Sequence, residues 1–73
     1  MVNYTRNKTS FGKMIKKARE DHGFTQEQLA VKIGIHVSYL SRIERGKEDN
    51  PTKDVLENLG KYLKLKSSDL LSI

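Results

Sequence analysis

From His36 to Lys47 the sequence reads HVSYLSRIERGK. At about 100° per residue, Val37, Ser38, Ser41, Arg42 and Arg45 share one helical arc of roughly 140°. That arc is small, polar and cationic, which suits close approach to polar edges. An arginine offers paired donors that match guanine O6 and N7, a serine hydroxyl donates or accepts one bond, and Val37 has only a methyl contact to give. Leu40 and Ile43 point the other way, with Tyr39 and His36 beside them, and Glu44 falls at the boundary of the two faces. The window also contains Ser38, Ser41, His36 and Asp49, residue types that hydrolases use. Ser41 and His36 are five apart on a helix and do not face each other, and no Gly-rich phosphate loop occurs. The expectation is no catalytic site.

These side chains need elements to hold them. Thr25 and Gln28 form a T-x-x-Q capping box that starts a helix, with Phe24 and Leu29 placed for a hydrophobic staple. Leu29, Ala30 and Ile33 share its inner face. Gly34 is placed to end it in the left-handed conformation. A helix from about Val37 to Arg45 follows, with His36 at its N-cap and Gly46 ending it. Helix, Gly-containing turn, helix is the pattern whose second helix enters a DNA major groove. Upstream, Met1 to Lys8 is polar and aperiodic and reads as a flexible arm. Thr9 or Ser10 can cap a first helix. Its apolar face is Phe11, Met14, Ile15, Ala18 and His22, with Lys13, Lys16, Lys17 and Glu20 opposite and Gly23 at the end. Arg19 sits on the flank of the apolar face, where a charge needs a partner. KEDNP, residues 47–51, is a turn by composition. Thr52 then caps a helix with Val55, Leu56, Leu59, Tyr62 and Leu63 on one face. Ser67 or Ser68 opens a last turn of helix that holds Leu70 and Leu71.

At 73 residues the chain is one small all-α domain over residues 9–73 preceded by an arm over 1–8. With no cysteine and two histidines, neither a disulfide framework nor a metal site or cofactor is expected. No run approaches membrane-spanning length and no signal-peptide pattern is present, so a cytoplasmic protein is expected. The formal charge is +5, and all of it lies in residues 1–20, where Arg6, Lys8, Lys13, Lys16, Lys17 and Arg19 face only Glu20. A solvated helix face explains this as well as attraction to a polyanion does.

The segments FGKMIKKARE, FTQEQLAVKIGI, SYLSRIERGK, the helix carrying Leu59 and Leu63, and DLL together resemble the Cro/phage-repressor type of helix-turn-helix domain, the XRE-like family. IHVSYLSRIERG also resembles the small controller proteins of restriction–modification systems. The resemblance implies a compact five-helix, lambda-repressor-like fold and a bacterial, phage or mobile-element origin. It implies a transcriptional regulator that binds a palindromic double-stranded DNA operator as a homodimer. By position it carries DNA contacts onto Gln26, Val37, Ser38, Tyr39, Ser41, Arg42, Arg45 and Lys47. Gln26 would hold phosphate and brace the recognition helix, while Ser38 and Arg42 would read bases. Val37 departs from the Gln or Arg that many members carry, and the KEDNP turn is one residue longer than usual and carries Glu48 and Asp49.

Two expectations remain open here. Arg42 can instead pair with Glu48 or Asp49. The fold can instead serve as an antitoxin or adaptor that binds another protein through Leu70, Leu71 and Ile73, which are also the candidate dimer interface. Arg19 and Glu44 are expected to pair, with neither fully buried, and so to brace the first helix against the recognition helix.

Overall fold

The computed structural model describes residues 8–48 and 51–65. Among them are four helices and no strand: α1 Lys8–Asp21, α2 Gln26–Ile33, α3 Val37–Glu44 and α4 Lys53–Leu63. The expected fifth helix, with Leu70, Leu71 and Ile73, lies outside the described residues, as does the arm before Lys8.

The chain breaks its helices with local chemistry. The Thr25 hydroxyl accepts from the Gln28 amide at 3.0 Å, and the Gln28 side chain accepts from the Thr25 amide at 2.9 Å. Both bonds of the capping box are therefore present. Gly34 has φ 76°, its amide donates to the Val31 carbonyl, and the Ile35 amide donates to the Ala30 carbonyl. This is a Schellman stop, which consumes carbonyls that the helix end leaves unpaired. The same pair of bonds ends α1 at Gly23 and α3 at Gly46, while α4 ends at the left-handed non-glycine residue Lys64, whose amide and that of Leu65 both donate to the Gly60 carbonyl. Thr52 caps α4 by accepting from the Val55 amide at 3.2 Å.

Two boundaries differ from expectation. α1 begins at Lys8, so Thr9 and Ser10 lie inside its first turn, where the backbone N–H groups have no intrahelical partner in any case. α3 ends at Glu44, one residue early.

The core is drawn from all four helices: Phe11 and Ile15, then Leu29, Ala30 and Ile33, then Leu40 and Ile43, then Val55, Leu59 and Leu63. Met14, Ala18, Phe24, Tyr39, Leu56 and Tyr62 pack partly buried against it. His22 does not belong to the α1 face as expected. The helix stops at Asp21, so its period stops too. His22 is exposed, and its Nε2 lies 2.9 Å from the Leu63 carbonyl at the end of α4. Asn58 similarly donates to the Ile33 carbonyl, at 3.4 Å. Gly12 is buried where α1 crosses the end of α3, and a Cβ there would collide with the carbonyl oxygens of Ile43 and Glu44.

Candidate nucleic-acid interface

α3 is fixed from below by one carboxylate. Glu44 Oε2 accepts from Arg19 Nε at 2.7 Å. Its Oε1 accepts from Arg19 Nη2 at 3.1 Å and from Gln26 Nε2 at 3.0 Å. Arg19 Nη1 also donates to the Phe24 carbonyl at 2.8 Å. A single charge pair thus joins α1, the α1–α2 turn, the first residue of α2 and the last residue of α3. Its side chains are 10% and 2% exposed, so the expectation that neither is fully buried is overturned. Burial is tolerable because the carboxylate receives three hydrogen bonds, and no buried side-chain polar atom among the described residues lacks a partner. The hydrogen bonds to Glu44 raise the Arg19 pKa above its ordinary value, against the opposing effect of burial, and the Glu44 charge adds to the rise.

The two charges cancel beneath the surface. The cations left facing outward around α3 are Arg42, Arg45 and Lys47, all exposed. Arg45 turns back along its helix, with Nε 3.4 Å from the Ser41 carbonyl. Arg42 lies with its guanidinium carbon 5.5 Å from the centre of the Tyr39 ring and its Nε 3.4 Å from Glu48 Oε1. Tyr39 is half-buried, so its ring both packs on the core and supports Arg42.

His36 caps α3. Its Nδ1 accepts from the Ser38 amide at 3.1 Å and lies 2.8 Å from the Ser38 hydroxyl oxygen. A ring nitrogen that accepts from an amide has no proton, so the neutral ring carries its hydrogen on Nε2. Ser38 is exposed and Ser41 half-buried. Val37, expected on the outer arc, is half-buried against the core, which reduces the surface it can offer. Gln26 is committed to Glu44, so its side chain acts as a brace in this structure. Gly12 had no place in the sequence reading. Its signal was a glycine inside a strong helical pattern, which costs about 1 kcal/mol and calls for a packing reason.

The comparisons with known proteins agree with this geometry. Residues 15–71 match the model of the Helix-turn-helix family HTH_3. The chain belongs to that helix-turn-helix family, of the XRE type. It is similar to the HTH-type transcriptional regulator SinR of Bacillus subtilis, 38% identical over 60 residues, which is 82% of this chain and 54% of SinR. It is also similar to the regulator SlrR of the same organism, 37% identical over 59 residues, 81% of this chain and 39% of SlrR. The transcriptional repressor RghR, again of B. subtilis, is 34% identical over 62 residues, 85% of this chain and 46% of RghR. The chain spans about half the length or less of these curated relatives. No helix among the described residues is long and apolar enough to cross a membrane.

Proposed function

We propose that the chain is a sequence-specific double-stranded DNA-binding module of a transcriptional regulator, with α3 in the major groove and two copies on a palindromic operator. The observation that carries this reading is the division of α3. Its inner side is locked to α1 and α2 through Glu44. Its outer side offers Ser38, Arg42 and Arg45 to solvent. A rigid helix with small and cationic side chains outward is what base readout requires.

In this reading Arg42 takes a guanine. Ser38, whose hydroxyl can donate or accept, can contact almost any base. Val37 touches at most one thymine methyl. Tyr39, Ser41, Arg45 and Lys47 lie along the phosphates on either side, and the amide end of α2 at Gln26 faces a further phosphate. The relatives named as transcriptional regulators and as a repressor support the class.

Selection of bound sites from a random DNA pool tests it. A shared motif repeated as inverted half-sites about one helical turn apart is expected. Recovery of no enriched sequence would overturn it. Binding of the selected duplex by the chain alone also separates this reading from that of an adaptor, which would need a protein partner.

A further inference from the structure

Arg42 does not stand free on α3. Glu48, six residues on and past the turn at Gly46, meets its Nε edge at 3.4 Å, and the Arg42 guanidinium carbon lies over the Tyr39 ring. The arginine and glutamate side chains are 46% and 24% exposed, so both are within reach of a docked duplex. A carboxylate is a costly neighbour for a surface that meets phosphate, because every phosphate adds like-charge repulsion. Its effect on Arg42 is selective, however. A lone arginine on a flexible stem accepts any phosphate it reaches. That strengthens binding to all sequences alike and narrows the ratio between right and wrong ones. Glu48 already supplies an anion at the Nε edge, so a phosphate oxygen there gains little by displacing it. The Nη1 and Nη2 groups stay available, and guanine presents two acceptors to such a pair.

We infer that Glu48 is a specificity-determining residue, which with Tyr39 positions Arg42 so that its Nη edge is offered to a base and its charge is withheld from phosphate. The inference rests on the proposed reading of α3 as the DNA-reading helix.

Glu48→Gln keeps the shape and removes the charge. Its binding to the selected operator and to a random-sequence duplex is measured at one fixed salt concentration, with and without Arg42→Ala. Glu48→Gln is expected to tighten the random duplex about two- to fivefold, the size of one partly exposed ion pair. It should tighten the operator less, so the ratio between them falls. The salt dependence on the random duplex should steepen by about 0.9, as for one added phosphate contact. In the Arg42→Ala background the ratio should not respond to Glu48→Gln. Equal tightening of both duplexes in both backgrounds would mean that Glu48 merely repels phosphate, and would overturn the inference. So would no change at all, or a fall in the ratio that persists without Arg42. If the wild-type chain does not distinguish the operator from the random duplex, the DNA reading itself fails. If it does, and Glu48→Gln leaves the ratio intact, only the role of Glu48 is lost.

Discussion

Arg42 and Arg45 carry the same guanidinium group, yet their surroundings divide the work. Arg45 folds back on the Ser41 carbonyl, while Arg42 is held outward between Tyr39 and Glu48. Arg42→Ala should therefore cost about 1–3 kcal/mol on the operator and relax preference at one guanine per half-site. Gln26→Ala should behave differently. Glu44 would keep both Arg19 bonds and lose only the third donor. A stability loss of about 0.5–1.5 kcal/mol is expected, the net contribution of one hydrogen bond. Affinity should fall by one common factor for every sequence, because the brace carries no base information. Binding of a panel of single-base operator variants, at one salt concentration, separates the two patterns. A uniform loss for Arg42→Ala would make it a backbone contact and leave readout to Ser38, Val37 or DNA shape.

The Arg19–Glu44 pair works between elements, because the Glu44 carboxylate at the end of α3 takes donors from Arg19 of α1 and Gln26 of α2. Removing one partner from a buried pair typically costs about 3–5 kcal/mol, since the other charge is left uncompensated. Exposures of 10% and 2% place this pair in that range. Arg19→Met and Glu44→Gln should thus each destabilise strongly, and the double variant should lose less than the two together. Additive losses in chemical denaturation would show that the pair has no coupling. Because the Arg19 pKa is raised on folding, its contribution is whole below the unfolded value and lost only as pH rises through the folded one. Titration of Arg19 therefore leaves the brace intact throughout the neutral range. Gly12 makes a second test of the same junction. Alanine is the better helix former, but here its methyl would strike the last carbonyls of α3. Gly12→Ala should destabilise by about 1–3 kcal/mol, as overpacking does, and a gain in stability would show that α3 can retreat at no cost. Caps and helix faces at this scale were legible in the sequence, since Thr25, Gln28, Gly34 and Thr52 act on neighbours a few residues away. The need of Arg19 for a partner was legible from its position on a flank of the apolar face. The depth of Glu44 and the crowding at Gly12 were not, because both arise only when α1 crosses the end of α3.

For the whole molecule, the uneven charge becomes a question of which cations meet DNA. The Arg19 charge is spent internally on Glu44, and Lys17 lies 3.4 Å from Asp21 in an exposed pair of little energetic weight. The outward cations of the α3 region, Arg42, Arg45 and Lys47, therefore count for more than the excess in residues 1–20 suggests. If binding neutralises phosphates, log affinity should fall linearly with log salt, at about −0.9 per phosphate contacted. Deleting residues 1–7 tests the N-terminal share, because it removes Arg6 while leaving α1 to begin at Lys8. The slope on the operator should become shallower by about 0.9 if Arg6 reaches the backbone. Arg45→Gln should reduce the slope by a similar step with no change in the preferred sequence. An unchanged slope after the deletion would show that Arg6 makes no phosphate contact. A flat salt dependence of the intact chain would be incompatible with phosphate neutralisation by any of these side chains, and would remove the physical basis for reading α3 as a DNA-binding helix.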